Sequence, residues 1–352
     1  MKNDKPIVLI RTDGNNKIGM GHIFRSIALS NELKKVGFEI HFLFSDKNNL
    51  KKLSQFGKCH IISNDESKEL KEIQKIKPKI IIIDLLKKFF PYKKRYFIKI
   101  KKSCELLTTI DYSGNELKFV DLGFHSLFGP KKNKANQSFF DLKYCIVRND
   151  FKKESFVYNI KHKVDSILIL QGGADTNCIS PKIIKAVSKT KNSLKITVVL
   201  GQAFDCWEDI IDLQKKMGNK LTVIHDVKNI QKIMSQHQIV ISAAGTTLSE
   251  LLTIGIPTIV VYGHAHEYEM AKIIKKHKMA IILGNGAYIT QKAIRLQTDK
   301  LIDDFKLRKE IHRNSKKIMD GKGGKRIVSI ILNKLNGINS QKNKLEKNKK
   351  YF

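Results

Sequence analysis

The sequence predicts an α/β protein built from two doubly wound, Rossmann-type domains facing each other across a cleft. Three observations carry that expectation. Apolar runs of strand length alternate with lysine-rich amphipathic segments along most of the chain, the pattern of βαβ units and parallel sheets. The alternation weakens once, over residues 114–163, and then begins again. With 352 residues the chain has room for two domains of ordinary size.

The first domain is expected over residues 1–155. Its strands are "PIVLIRT", "EIHFLFS", "CHIIS", "KIIIIDLL" and "CELLTTID". Between the first two lies "IFRSIALSNELKKVG", with Leu29, Leu33 and Val36 at i, i+4 and i+7 and Gly37 as a stop, which predicts an amphipathic helix. Residues 114–163 carry a polar patch, "GPKKNKANQS", and read as the crossover between domains. The second domain is expected over residues 160–335, with strands "DSILILQGG", "KITVVLG", "LTVIHDV", "HQIVISAAG", "PTIVVYG" and "MAIILG". The tail, residues 338–352, is polar and basic without apolar periodicity and is expected to be disordered.

Composition narrows the class. At 41% hydrophobic residues the chain can bury real cores, yet no apolar run reaches the length of a membrane span. The N-terminus has no signal-peptide pattern. Cys59, Cys104, Cys145, Cys178 and Cys206 are odd in number, scattered and without metal-ligand spacing, so a reduced cytoplasm is expected. The formal net charge of +33 comes mostly from lysines spread over helix faces, with no nucleic-acid module and no aromatic–basic interleaving. A lysine-rich surface is the reading, with no nucleic-acid partner and a monomeric chain.

Two stretches carry chemistry. In "IRTDGNNKIGMGHIFRS", Gly19 and Gly21 let the chain turn tightly out of a strand, and His22 follows where a helix begins. Ligands of open α/β sheets bind at the carboxyl ends of strands. A histidine there, beside the partial positive charge of a helix start, is a candidate general base. In the second domain, Gly172 and Gly173 of "LQGGADT" allow close approach of a ligand to the backbone. In "ISAAGTTLSELLTIGIP", Ser242 and Gly245 end a strand and Thr246 and Thr247 open a helix, whose free N–H groups form an anion site. Glu250, one turn further on, is within reach of ribose hydroxyls beside a diphosphate. No aspartate-x-aspartate pair or histidine–carboxylate cage suggests a metal, and no cofactor is expected.

In their order along the chain, "IGMGHIFRS", "IIIIDLL", "TTIDYSG", "YCIVRNDF", "QGGAD" and "ISAAGTTLSELL" resemble segments of the UDP-sugar hydrolases of pseudaminic (nonulosonic) acid biosynthesis. Those enzymes act on a UDP-linked diacetamido-trideoxy-altropyranose and are related in fold to GT-B glycosyltransferases, notably the UDP-GlcNAc transferase of peptidoglycan synthesis. The resemblance extends to about residue 335. It implies a GT-B-like, metal-independent enzyme that releases UDP from a UDP-sugar, with His22 activating water for attack at the anomeric carbon. UDP would lie on Gly172, Gly173, Gly245–Thr247 and Glu250, while Arg11, Asp13 and Arg148 are candidate sugar contacts. The sequence departs from that family at Asp111-Tyr112, where two aspartates are common, and at His266-Glu267, where asparagine-glutamine is common; both bear on which sugar is bound. Two other readings stand beside hydrolysis: a GT-B glycosyltransferase with a UDP-sugar donor, and a non-catalytic nucleotide-sugar or nucleic-acid binder.

Overall fold

A computed structural model describes residues 5–349 apart from 16–18, 64, 91–92, 127–134, 174, 176, 192–193, 202–203, 226 and 264–266. The chain divides into two compact units, one of Met1–Ile146 with Lys322–Phe352 and the other of Val147–Gly321.

The first unit holds a seven-stranded parallel sheet. Its strands are β1 (Ile7–Thr12), β2 (Glu39–Phe44), β3 (Lys58–Ile61), β4 (Ile80–Asp84), β5 (Leu106–Ile110), β6 (Leu122–His125) and β7 (Gln137–Phe140), in the order β3-β2-β1-β4-β5-β6-β7. The chain leaves β1 on one side and returns through β4 on the other, so the switch point lies between β1 and β4, where Thr12 is in register with Asp84. Strand alternation sends Ile80 and Ile82 to one face, against Ile23, Leu29 and Leu33, and Ile81 and Ile83 to the other, against Ile73, Phe97 and Ile100. Being buried on both faces is why β4 reads as an unbroken run of isoleucines.

The second unit has a six-stranded parallel sheet of β8 (Ser166–Leu170), β9 (Lys195–Leu200), β10 (Leu221–His225), β11 (Ile239–Ser242), β12 (Thr258–Tyr262) and β13 (Ile281–Asn285). Its order is β10-β9-β8-β11-β12-β13, with the switch point between β8 and β11, where Leu170 faces Ser242. Ile167, Ile169, Ile239, Ile241, Ile259 and Val261 share a core with the helices Ile179–Val187 and Gln291–Asp303. All six expected strands are present.

Four sequence expectations are corrected. The stretch taken as crossover contains β6 and β7, two strands of four residues each, too short to display a period. The boundaries at 155–160 and 335 move to Val147 and Lys322. The helix Asn149–Val157 buries Phe151 within the second unit, whereas the helix Gly323–Lys349 returns Ile327, Val328, Ile331 and Leu335 to the core of the first. That helix runs to Lys349, within the tail expected to be disordered, because Lys, Glu, Gln and Leu are good helix formers even without an apolar stripe. The helix Gly21–Lys35 ends one residue before Val36, which is 44% exposed instead of buried.

Among the described residues no helix is long and apolar enough to cross a membrane.

Candidate functional site

In the first unit the carboxyl ends of β1, β4 and β5 hold a cluster of buried polar side chains. Gly19, at φ +81°, makes the turn that only a residue without Cβ takes easily, and Gly21 opens the helix. His22 is the second residue of that helix and is 7% exposed. Its Nδ1 lies 2.8 Å from Oδ1 of Asp84, the last residue of β4. Arg25, one turn on, donates from Nε to both Asp84 oxygens, at 2.7 and 2.9 Å, and from Nη1 to Asp111 at 2.7 Å. Arg25 Nη2 also bonds Asp84. Ser26 Oγ donates to Asp84, and Ser126 donates from N and Oγ to Asp111. Asp111 takes φ +51°, a left-handed conformation that aspartate tolerates better than most residues.

The charges decide the tautomer. Burial works to raise the Asp84 carboxyl, but Arg25 and His22 outweigh it and hold the group at about 2. The ionised Asp84 only accepts, so His22 Nδ1–H donates to it, and in the neutral imidazole Nε2 then carries the lone pair. Arg25 Nη2 also stands 3.0 Å from Nδ1, but a guanidinium only donates, so in this tautomer that approach is a packing contact. Burial lowers the Arg25 guanidinium, yet Asp84 and Asp111 more than compensate and leave it raised. A histidine held by a buried carboxylate through one nitrogen, with the other left to accept, is the arrangement of a general base.

Arg11 and Asp13, expected as sugar contacts, are each 3% exposed and bonded within the first unit. Arg11 pairs with Glu69 and Asp13 at 3.1 Å. Asp13 also accepts from the backbone N–H groups of Ser45 and Asp46. These bonds tie the end of β1 to that of β2.

In the second unit the connections after β8 and β11 meet at the switch point. Among the described residues, nothing stands within 4 Å of where a Cβ would lie on Gly172, at φ +81°, or on Gly173. Gly245 caps the helix Thr246–Ile254 without a side-chain bond to its first N–H groups, and Gly245, Thr246 and Thr247 are partly exposed. Those N–H groups lack helical acceptors and can receive an anion. Ser242 differs from expectation: it is fully buried and its Oγ bonds the carbonyl of Ala243. Glu267 is brought to the same helix start, its Oε1 3.6 Å from where a Cβ on Gly245 would stand, and it accepts from Gly263 N. His266 lies outside the described residues.

Glu250 is 6% exposed and is bound by Arg148, whose Nε and Nη2 stand 3.0 and 2.8 Å from the same oxygen, Oε1. Arg148 also lies over the Phe151 ring. Burial raises the Glu250 carboxyl and Arg148 opposes it. With Oε1 occupied, Oε2 is the atom left to accept from a ligand.

Asp84, Arg25 and Asp111 lie in segments that carried the family resemblance but were given no role in the site from the sequence, and Gln171 was not singled out. Asp84 and Asp111 each end an apolar run, "IIIID" and "LLTTID", and a carboxylate at the carboxyl end of a buried strand is a readable signal. Gln171 follows β8 directly and is 7% exposed, and its Nε2 has no partner among the described residues.

Residues 166–321 match the glycosyltransferase family 28 C-terminal domain, which falls within the second unit. An uncharacterized protein of Methanocaldococcus jannaschii is 30% identical over 77% of this chain, and the chain spans 59% of that relative's length. The spore coat polysaccharide biosynthesis protein SpsG of Bacillus subtilis is 23% identical over 92% of this chain and 96% of its own. The crystal structure of MurG from Acinetobacter baumannii superimposes with a TM-score of 0.69, covering 94% of this chain and 99% of that one, at 14% identity. The fold is that of GT-B glycosyltransferases, two parallel-sheet α/β units.

Proposed function

We propose that this chain is a UDP-sugar enzyme of the glycosyltransferase class, which breaks the bond between the anomeric carbon and the diphosphate. The second unit binds UDP and the first supplies the base. The single observation that carries this reading is the His22–Asp84 contact at 2.8 Å. In the neutral imidazole it makes Nε2 the acceptor, and an oxygen nucleophile needs such an acceptor to lose its proton as it attacks. Asp84 and Asp111 place two carboxylates on the Arg25 guanidinium, and the Asp84 carboxylate on Nδ1 stabilises the imidazolium formed in the reaction. The departing diphosphate gains charge, and the uncapped start of the helix Thr246–Ile254 offers N–H donors to it. Gly172 and Gly173 give the diphosphate room, and Glu250 Oε2 accepts from a ribose hydroxyl.

Transfer to an acceptor hydroxyl is the reading that the family 28 match supports. Water as the nucleophile, giving UDP and a free diacetamido-trideoxy sugar, is the second reading. The burial of His22 favours it, because little besides a small molecule reaches a side chain 7% exposed. Incubation with a panel of UDP-sugars, with and without sugar acceptors, and identification of products by mass and NMR separates the two. UDP release that requires an acceptor means transfer, and release in its absence with a free reducing sugar means hydrolysis. No UDP release from any donor under either condition overturns the assignment.

A further inference from the structure

Cys178 and Cys206 are 28 residues apart in sequence and joined in the structure, with Cα atoms 6.0 Å apart, inside the range a disulfide spans without moving backbone. Scattered cysteines therefore include one spatial pair. Each caps the amino end of a helix, Cys178 that of Ile179–Val187 and Cys206 that of Trp207–Met217. The partial positive charge there favours a thiolate, the form that attacks a disulfide, most clearly at Cys178, since at Cys206 the Asp205 carboxylate stands 3.4 Å from Sγ and opposes it. Cys178 is exposed and Cys206 half-buried, so a small oxidant has access.

The position is mechanical as well as chemical. Cys178 closes the connection that begins with Gln171, Gly172 and Gly173, and Cys206 closes the connection after β9 that begins with Gly201. These two connections already touch: a Cβ on Gly201 would come within 2.2 Å of the Gly173 carbonyl oxygen. The sulfur pair is a second tie, five residues from Gly173 along one strand connection and five from Gly201 along the other. Between the two ties Asp175, at φ +44°, accepts from the N–H groups of Ile179 and Ser180. Among the described residues, opening the sulfur tie leaves the glycine contact, this capping carboxylate and the Asn177 side-chain bond to the Gly263 carbonyl at 2.7 Å to hold the segment.

We propose that Cys178 and Cys206 are a reversible thiol–disulfide site that sets the order of the backbone around Gly172 and Gly173. One thiolate attacks a low-molecular-weight disulfide, forming a mixed disulfide and expelling a thiolate that takes up a proton. The second cysteine loses its proton to solvent, attacks the mixed disulfide and expels the other small thiol. Two protein thiols are oxidised and one small disulfide is reduced to two thiols. The consequence for UDP rests on the reading of the second unit as the nucleotide site: the oxidised form, pre-ordered, binds UDP more tightly than the reduced form.

The full chain is prepared in two forms, treated with glutathione disulfide or reduced with dithiothreitol, and alkylated after denaturation. The expected result is two fewer alkylated thiols in the oxidised form, with residues 178 and 206 linked on non-reducing peptide mapping. Amide exchange in peptides spanning residues 171–178 slows by at least about tenfold on oxidation, and the difference vanishes in Cys206→Ser. Five alkylated thiols after oxidation, zinc released from the pair by a thiol reagent, or unchanged exchange despite the linkage overturns the proposal. UDP affinity equal in the two forms overturns its consequence for binding. If neither form binds UDP the nucleotide reading fails, while thiol count and exchange still decide the cysteine pair.

Discussion

His22 Nδ1 stands 2.8 Å from Asp84 Oδ1, and this contact decides which imidazole nitrogen is left to act. The carboxylate ends a strand and the histidine begins a helix, so two rigid elements hold the pair. A positioned base contributes typically about 10²- to 10⁴-fold. His22→Asn is therefore expected to lower kcat by at least about 10²-fold, with UDP affinity little changed because the proposed UDP contacts belong to the second unit. Steady-state kinetics and calorimetry read both. Near-full turnover in a folded His22→Asn protein makes His22 a structural residue.

The same pair predicts an acid-side loss of stability. Burial favours a raised Asp84 carboxyl, but Arg25 and His22 hold it at about 2. An unfolded aspartate titrates near about 3.9. The folded value is the lower one, so the contribution is complete above the unfolded value and disappears as pH falls through about 2. It amounts to about 2–3 kcal/mol at neutral pH. Denaturant unfolding of wild type and Asp84→Asn across this range should show a stability gap, constant above pH ~4.5 and narrowing below it. Where the variant is too unstable to measure, carboxyl NMR of the wild type reads the titration directly, and a normal aspartate value there refutes the assignment.

The six strands of the second unit and the helix start at Gly245 are readable from sequence because apolar runs, small residues and the Gly255 stop all agree locally. What escapes reading is what crosses the chain. Asp84 sits 62 positions from His22 and becomes its partner only because the sheet order places β4 beside β1. Arg148 and Glu250, 102 positions apart, follow the same rule, as do the two cysteines. Strands β6 and β7 escape for another reason: "LGFH" and "QSFF" are too short and too polar to carry a two-residue period.

Arg308 is fully buried in the second unit and acts as a clamp. Its Nη1 donates to the carbonyls of Leu301 and Ile302, the last turn of the helix Gln291–Asp303, and its Nη2 to His162 at 2.6 Å and Lys161 at 3.3 Å. Replacement by methionine keeps much of the volume and strands these carbonyls. Hydrogen bonds to a charged group are worth about 1.5–3 kcal/mol each, so Arg308→Met is expected to cost at least about 3 kcal/mol in denaturant unfolding. A loss below about 1 kcal/mol would mean that water replaces the guanidinium at little cost.

Glu250 brings binding and pH dependence together. Arg148 takes Oε1, at 2.8 and 3.0 Å, which orients the carboxylate and leaves Oε2 for the proposed ribose contact. Glu250→Ala removes that acceptor, and a lost hydrogen bond to a charged group predicts UDP binding weaker by about tenfold or more, with a raised KM and kcat nearly unchanged. Unchanged UDP affinity by calorimetry takes Glu250 out of the site. The pH test uses the conservative variant. Burial raises the Glu250 carboxyl above its ordinary value and Arg148 only partly offsets it. A raised folded value means that the group's contribution is complete below the unfolded value and declines as pH rises through the folded one. Glu250→Gln cannot ionise, so its stability relative to wild type should climb over that interval and then level off. UDP, held against the carboxylate through a hydroxyl proton, should prefer the ionised form, so its affinity for wild type should rise over the same interval while that of Glu250→Gln stays flat. A parallel rise in both proteins would place the titrating group elsewhere.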